Sequence, residues 1–228
     1  MIPIVVGFDA REAIAYHTFC QSVLEKSSEP VCFMPLAPNT LRGYQEMHSD
    51  GSNAFIYSRF LTPFLRDYQG WAIFADGDMI CCDDIAKLWA QRDESKALLV
   101  VKHDYKTKAK GKYLGNKNED YPRKNWSSLI LWNCAHPKRI LDPEFVMHAT
   151  GAQLHRFTWL DDSDIGSLEA GWNWLTTEYP DNADAHLLHY TLGTPCFIDY
   201  RNCDMADKWH EHFQRTVSGM QYDVPLSS

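Results

Sequence analysis

Short apolar runs alternate with longer amphipathic stretches in the first part of the chain. Residues 2–8 form an almost continuous apolar run that ends at Asp9, which is typical of a buried parallel strand. Apolar residues then recur at helical spacing over residues 11–26, and a second apolar run follows at residues 30–36. This order of strand, helix and strand predicts a parallel sheet that is covered by helices.

The same patterns predict further elements through the rest of the chain. Strands are expected over residues 71–75, 97–102, 128–132, 187–190 and 196–200. Helices are expected over residues 57–65, 83–91, 138–141, 143–149 and 163–169, and a polar helix or turn over residues 206–217. Because no internal repeat and no linker interrupts this order, we expect a single α/β domain over residues 1–228. Its central sheet should be mostly parallel and flanked by helices, as in a Rossmann-like fold.

Composition and charge exclude several classes of protein. The 228 residues are 45% hydrophobic and 23% charged, which excludes a disordered or low-complexity chain. A net charge of −8 argues against a nucleic-acid-binding protein. Seven cysteines without C-x-x-C spacing indicate reduced thiols. With no apolar run of about 18 residues and no signal-peptide pattern, we expect a cytoplasmic protein.

The basic stretch over residues 102–124 stands out against this acidic background. It carries eight Lys and Arg against three Asp and Glu, a local charge of +5, and its Gly, Asn and Pro content predicts a loop. The stretch could cover a donor, meet an anionic acceptor or touch a membrane surface, and a solvated lysine-rich loop fits equally well. We expect residues 106–118 to offer little to bury, to be mobile without ligands, and to lie on the side of the sheet that carries Asp78.

The sharpest chemical signal is the carboxylate pair Asp76 and Asp78, which directly follows a predicted strand. Ligands bind at the carboxyl ends of strands in open α/β sheets. Two such carboxylates can chelate a hard divalent cation whose other ligands include substrate phosphates. Gly77 between them would let the backbone approach a ligand closely. A strand-end turn is the alternative, but the further acidic pair at residues 83–84 favours a metal site.

Three further groups of polar residues could complete this site. His189 leaves a predicted strand and enters a Gly/Pro turn, where it could ligate a metal, although a core histidine fits the same pattern. Asp162 and Asp164 precede a predicted helix, which they could cap, or they could face a sugar that develops positive charge. Asn125 and Ser127 precede a predicted strand and could bind a polyhydroxylated ligand, with turn chemistry as the alternative.

Taken in order, these motifs resemble those of the family 8 glycosyltransferases, which have the GT-A fold. The resemblance covers residues 2–200. The matching segments are Phe8-Asp9 with Tyr16, residues 57–61 ahead of the Asp-x-Asp pair, residues 125–133, residues 162–165, Trp172-Asn173, and His189. The ordered set is specific, although each motif alone is short.

The resemblance implies a metal-dependent transfer of a sugar from a nucleotide-sugar donor, a UDP-sugar, to a glycan or lipid-linked acceptor. It implies retention of configuration, a nucleotide-sugar-binding half at residues 1–100 and an acceptor-side half at residues 101–228. It also implies Mn²⁺, or Mg²⁺ as second choice, bound by Asp76, Asp78 and His189. The implied catalytic residues are Asp162 and Asp164. The implied donor contacts are Phe8, Asp9, Tyr16, Arg59, Asp76, Gly77, Asn125, Ser127 and Gly193.

The chain also departs from the family pattern. Residues 189–197 lack the Lys and Trp of the last family motif, and Ser163 stands where the family often has Gln. The residues themselves do not choose between retention and inversion. A metal-dependent phosphotransferase or phosphohydrolase, and a carbohydrate-binding domain without catalysis, are the alternatives. The missing Gly-rich phosphate cradle argues against the former, and the candidate metal ligands argue against the latter.

Overall fold

The computed structural model describes residues 1–138 and 141–218, and in this part of the chain nine strands form two sheets. The strands are β1 (Ile2–Gly7), β2 (Val31–Leu36), β3 (Trp71–Ala75), β4 (Met79–Cys81), β5 (Leu98–Val101), β6 (Leu129–Asn133), β7 (Ile165–Leu168), β8 (Trp174–Leu175) and β9 (Leu187–His189). The α-helices are α1 (Ala13–Lys26), α2 (Thr62–Leu65), α3 (Ile85–Trp89), α4 (Pro143–His148), α5 (Gly151–His155) and α6 (Ala206–Ser218). None of them is long and apolar enough to cross a membrane.

The larger sheet has six strands in the order β2-β1-β3-β6-β5-β7. Its neighbours pair in parallel except on the two sides of β6, which runs against both β3 and β5. This confirms the mostly parallel sheet predicted from the sequence. Because β6 is reversed, Ala75 at the end of β3 lies opposite Leu129 at the start of β6. The segment after β3 and the segment before β6 therefore lie next to each other, at the carboxyl end of β3.

Helices cover both faces of this sheet. Ile73 of β3 packs on one face in a cluster that includes Phe19 of α1. Its neighbour Phe74 packs on the other face with Phe60 and with Leu154 of α5. All five side chains are buried, and full burial of an aliphatic or aromatic side chain of this size contributes about 1.5–3 kcal/mol. The two-sided burial explains why the central strands read as continuous apolar runs.

Two predicted elements are wrong. Residues 163–169 were expected to be helical, but they contain β7, which pairs in parallel with β5. Gly166 and Ser167 are poor helix formers, whereas pairing with β5 buries the side chain of Leu168. Residues 196–200 were expected to form a strand but contain a 3₁₀ helix over Ile198–Tyr200, and no described strand pairs with them to bury an apolar run.

The other differences concern short elements. The helix predicted over residues 57–65 is split into a 3₁₀ helix (Ser58–Leu61) and α2. The predicted helix over residues 138–141 includes residues 139 and 140, which lie outside the described part of the chain. β4, β8 and α5 were not predicted, because two to five residues are too few for a clear period.

Candidate functional site

Asp76 and Asp78 lie where the chain passes from the large sheet to the small one. Asp76 directly follows β3, and Asp78 directly precedes β4. Between them, a Cβ atom on Gly77 would come within 2.5 Å of the carbonyl oxygen of Gly7. Since backbone atoms at this distance cannot give way, only glycine fits at this position. The close approach that requires Gly77 is therefore made by β1, at the carboxyl end of the parallel strands.

His189 is brought to the two carboxylates by the small sheet. β9 pairs with β4 so that His189 lies opposite Met79, next to Asp78. The Nε2 atom of His189 is 3.4 Å from Oδ1 of Asp78 and 4.0 Å from Oδ2 of Asp76. One ligand atom from each of these three residues lies within 4.8 Å of the others, so they could hold one metal ion. The predicted convergence of the three side chains is confirmed.

Asn173 determines how His189 faces the carboxylates. The amide nitrogen of Asn173 donates to Oγ of Ser128 at 2.9 Å, which leaves its Oδ1 directed at Nδ1 of His189 at 3.0 Å. An amide oxygen accepts only, so Nδ1 of His189 carries a proton and Nε2 is the atom directed at Asp78. A metal-ligating histidine usually donates its second ring N–H to an acceptor in this way, which fixes the orientation of the ring.

The donor set fits a hard divalent cation. Oδ1 of Asp78 is buried and has no hydrogen-bond partner among the described residues, which is costly for a carboxylate without a cation. Two carboxylates and one imidazole match the mixed oxygen and nitrogen ligands of Mn²⁺, and Mg²⁺ also binds carboxylates. Without a metal, a proton on Nε2 of His189 would supply positive charge at the same place.

Charges in the site are partly compensated by Arg59. Its Nη1 is 2.7 Å from Oδ1 of Asp76 and donates to the carbonyl oxygen of Ser127 at 3.0 Å. Burial raises the pKa of Asp76 to about 6, although the charge of Arg59 opposes the shift. Burial also acts to raise the pKa of Asp78, but the positive charges of His189 and Lys112 hold it below its usual value. The site thus contains one carboxylate paired with an arginine, Asp76, and one, Asp78, whose ion-pair partner among the described residues is His189.

These residues line a narrow polar pocket of about 60 Å³. Six residues singled out in the sequence line it: Arg59, Asp76, Asp78, Asn125, Ser127 and His189. Lys112, Tyr113, Tyr121, His155 and Thr191 also line it and had not been proposed as site residues one by one. Two wider cavities of about 450 Å³ and 270 Å³ share Ile56 and Tyr121 with the pocket. The pocket therefore continues into open space on the side of the basic loop and α5.

The basic stretch reaches the pocket through Lys112, on the same side of the sheet as Asp78, as predicted. The expectation that this stretch offers almost nothing to bury is wrong, because Tyr113 and Asn118 are both about 5% exposed. The hydroxyl of Tyr113 donates to Oε1 of Glu12 at 3.0 Å, and its backbone N–H donates to the carbonyl of Leu192 at 2.7 Å. Mobility of the stretch without ligands stays a prediction.

Several of the predicted donor contacts lie outside the pocket lining, among them Phe8, Asp9, Tyr16 and Gly193. The carboxylate of Asp9 already accepts from Arg11 and from the backbone N–H of Ala54 at 3.0 Å. The rings of Phe8 and Tyr16 meet edge to face, with centroids 5.6 Å apart. These residues adjoin the site at the end of β1, but the described contacts occupy Asp9 within the protein. Gly77 likewise does not line the pocket.

Asp162 and Asp164 are not brought to this pocket. They precede the amino end of β7, and β7 runs in the same direction as β3. They therefore lie at the amino ends of these strands, whereas Asp76 lies at the carboxyl end of β3. Asp162 pairs with Arg123, and Asp164 pairs with Lys138 at 2.6 Å. The catalytic role expected for them has no geometric support in the described contacts.

Two of the unproposed pocket residues had usable signals in the sequence. Thr150 and Gln153 have capping-box spacing, which marks the start of α5 and so places His155 on it. Gly111 marks a turn immediately before Lys112. For Tyr121, Tyr113 and Thr191 we find no sequence signal, since their role depends on how distant segments pack.

No family model matches the chain. Among curated proteins, the chain is similar to Protein CDI of Arabidopsis thaliana, with 43% identity over 216 residues. The match covers 90% of this chain and 83% of the relative.

Several solved structures of glycosyltransferases have a similar fold. The galactosyltransferase LgtC, solved in complex with donor and acceptor sugar analogues, gives a TM-score of 0.60 at 15% identity and covers 94% of this chain and 96% of its own. The glycosyltransferase GlyE of Streptococcus pneumoniae gives 0.62 at 14% identity, covering 96% of this chain and 63% of its own. The bifunctional glycosyltransferase WbbM gives a TM-score of 0.60 at 15% identity. The match covers 93% of this chain but only 49% of WbbM. At these identities the likeness shows the fold, and it confirms the GT-A-like architecture.

Proposed function

The chain belongs to the family of Arabidopsis thaliana Protein CDI, and we propose that it is a metal-dependent glycosyltransferase. In this proposal it transfers a sugar from a nucleotide-sugar donor, a UDP-sugar, to a glycan or lipid-linked acceptor. The observation that carries the proposal is the cluster of Asp76, Asp78 and His189 at the carboxyl end of β3, in a fold shared with glycosyltransferases. The fold offers ligand binding at this edge, and the cluster offers a place for a divalent cation beside it.

Each residue around the cluster has a part in this proposal. A bound Mn²⁺ or Mg²⁺ supplies positive charge to the diphosphate leaving group. Asp76, Asp78 and His189 hold the ion, Asn173 orients His189, and Arg59 offsets the buried charge of Asp76. Asn125 and Ser127 line the same pocket and offer hydrogen bonds to sugar hydroxyls. Binding and orientation by these side chains precede any bond breaking.

The acceptor would enter through the cavity of about 270 Å³ that adjoins the pocket. Tyr57, Tyr121, His155 and Arg156 line this cavity, and Tyr121 and His155 also line the pocket itself. Aromatic rings next to polar groups suit a sugar, which has apolar faces and polar hydroxyls. An acceptor in this cavity would lie next to the residues that hold the donor.

Retention and inversion place different demands on the residues around the acceptor. Inversion needs a general base there, and the carboxylates close to it are Asp76 and Asp78 of the cluster and Asp50, which lines the acceptor cavity and accepts from the hydroxyl of Tyr57 at 2.8 Å. Burial lowers the pKa of His155 to about 3, so this imidazole is a weak base. In a retaining reaction, a phosphate oxygen of the donor could accept the proton instead. The anomeric configuration of the product, measured by NMR, distinguishes the two outcomes.

Contact with a membrane through residues 102–124, and a cytoplasmic location, remain predictions. The side chains of Lys106, Lys108 and Lys110 are exposed, so they are available to an anionic surface or acceptor. A lipid-linked acceptor would bring such a surface to the enzyme.

The experiment is a panel of nucleotide sugars with MnCl2, scored by release of the nucleoside diphosphate. We expect at least one donor to be turned over, and Asp78→Asn to lower that turnover by about a hundredfold or more, because the metal stabilises the leaving group. Asp83→Asn is the matched control, since Asp83 pairs with Lys87 at the surface at 2.8 Å. Turnover by Asp78→Asn close to that of the unmodified chain would overturn the metal-dependent mechanism.

A further inference from the structure

We infer that Lys112 binds the diphosphate of the nucleotide donor. The basic loop would then contribute a positively charged side chain to the leaving group, in addition to the metal ion. This inference rests on the proposed function and names a residue that it leaves unassigned. Two cationic side chains of the described residues line the pocket, Arg59 and Lys112. Arg59 is committed to Asp76 at 2.7 Å. Lys112 is therefore the cation left for a ligand.

Lys112 has no anionic partner within the described part of the protein. Its Nζ donates to the neutral hydroxyl of Thr191 at 3.2 Å, and no carboxylate of the described residues lies within 4.0 Å of it. Its side chain is partly buried, and burial lowers its pKa although the charges of Asp78 and Asp76 oppose the shift. An ammonium group taken from water without a counterion is costly. A bound anion would remove that cost.

Several contacts define where the loop places Lys112. Its backbone N–H donates to the carbonyl of Asn116 at 2.7 Å, which closes the tip of the loop. The next residue, Tyr113, is bound on two sides, by Leu192 through its backbone and by Glu12 through its hydroxyl. Its ring also packs on Phe197, with centroids 4.9 Å apart. A cation held in this way needs little reorganisation when a ligand binds.

The charges of the pocket add up in favour of a diphosphate. Asp76 and Asp78 carry two negative charges, and Arg59 and Lys112 carry two positive ones. A divalent cation would raise the total by two, which matches the two negative charges of the diphosphate in a nucleotide sugar. Burial raises the pKa of the nearby Glu12 to about 8, so this carboxyl adds little negative charge at neutral pH. Without Lys112 the negative charge of the bound diphosphate would not be fully balanced. The imbalance would grow when the bond to the sugar breaks, because the diphosphate then gains a further negative charge.

The test compares Lys112→Met with Lys110→Met, a control on the same loop whose side chain is exposed. Calorimetry with MnCl2 and a panel of UDP, GDP, ADP and CDP first identifies the diphosphate that binds the unmodified chain. We expect Lys112→Met to weaken its binding by about tenfold to a hundredfold, as for loss of a charge-assisted hydrogen bond. The corresponding monophosphate should lose less, and Lys110→Met should stay within about twofold of the unmodified chain for both ligands.

Binding of Mn²⁺ alone separates this role from a structural one. Lys112 repels the metal but attracts the diphosphate, so Lys112→Met should bind Mn²⁺ alone at least as tightly as the unmodified chain while binding the diphosphate more weakly. Lys112→Arg, which keeps the charge, should restore most of the diphosphate binding. Weaker binding of both Mn²⁺ and the diphosphate, or unchanged binding of the diphosphate, would overturn the inference. If no nucleoside diphosphate binds the unmodified chain, the proposed donor class fails as well.

Discussion

Oδ1 of Asn173 lies 3.0 Å from Nδ1 of His189, and this contact turns the other ring nitrogen of the histidine towards Asp78 and Asp76. Asn173 is itself fixed by donating to Ser128, at the start of β6. A chain of hydrogen bonds therefore runs from the reversed strand of the large sheet to the candidate metal ligand on the small sheet. The relative position of the two sheets is thereby linked to the geometry of the site.

We predict that Asn173→Ala weakens Mn²⁺ binding by about tenfold to a hundredfold, because partners of metal-ligating histidines have effects of this size. The substitution frees the ring of His189 to rotate, because the N–H group at Nδ1 loses the acceptor that Asn173 provides. The measurement is a Mn²⁺ titration followed by calorimetry or electron paramagnetic resonance, at a temperature where circular dichroism shows both chains folded.

Asn133→Ala is the control for this prediction. Asn133 is also a buried asparagine, and it ends β6 at the edge of the sheet away from the cluster, where it donates to the carbonyl of Lys96 at 3.1 Å. The control should lose some stability but keep its metal affinity. Equal loss of affinity in both variants would show that the effect reflects general loosening of β6.

Gly77 is predicted to contribute strongly to the stability of the fold. Because the added Cβ of Gly77→Ala would meet the backbone oxygen of Gly7 at 2.5 Å, β1 and β3 must move apart at their carboxyl ends. We expect a loss of about 1–3 kcal/mol in the free energy of unfolding, as for overpacking in a core, measured by urea denaturation. At Gly111 the nearest atom to an added Cβ is 3.8 Å away, so Gly111→Ala should cost far less. Comparable losses for the two variants would contradict the prediction.

The parts of the site that the sequence could predict are those attached to clear strands. Asp76 follows a fully buried apolar strand, so its place at a ligand-binding edge follows from the fold class. His189 was identified by its position after an apolar run, but its pairing with β4 was not, since β4 has only three residues. For Lys112 and His155 the sequence marks a nearby turn and a helix start, but not their place in the pocket, which depends on how a loop and a short helix pack against the sheet.

The catalytic role expected for Asp162 and Asp164 came from the family resemblance, and the misassignment of residues 163–169 as a helix left their position in the fold open. A helix there would have left the position of the acidic turn open, whereas β7 places the turn at the amino ends of the parallel strands, away from Asp76. The local pattern was ambiguous, because four residues with Gly and Ser do not show a period. Pairing with β5, which no local pattern encodes, decided the outcome.

We therefore predict that Asp162→Asn and Asp164→Asn change donor turnover by less than about threefold. Asp162 is exposed and pairs with Arg123, so its loss should have little effect on stability. Asp164 pairs with Lys138 and accepts from the backbone N–H of Asp161 at 3.0 Å, so its variant should lose some stability through the loss of this cap. Turnover is measured with the best donor of the panel. A hundredfold loss in Asp162→Asn would restore the catalytic assignment and contradict the pocket described above.

The last prediction concerns the pH dependence of stability through His103 and His155. Burial, with the nearby positive charges of His189 and Arg59 respectively, lowers the pKa of each imidazole to about 3. In the unfolded chain each takes up a proton near its usual pKa of about 6.5. Between about pH 6.5 and pH 3 the unfolded state therefore binds more protons than the folded state, and these two groups reduce stability as the pH falls.

A variant that lacks one of these imidazoles should lose this pH dependence. From pH 7.5 to pH 5.0, the unfolding free energy of His103→Gln or His155→Gln should rise by about 2 kcal/mol relative to that of the unmodified chain, since one pKa unit corresponds to about 1.4 kcal/mol. Urea denaturation at both pH values measures the difference. His17 is exposed on α1, so His17→Gln is the control and should follow the unmodified chain at both pH values. If the difference between His155→Gln and the unmodified chain does not change with pH, His155 is protonated in the folded state. It could then serve as an acid or a base beside the acceptor cavity, which would remove one support for a retaining reaction.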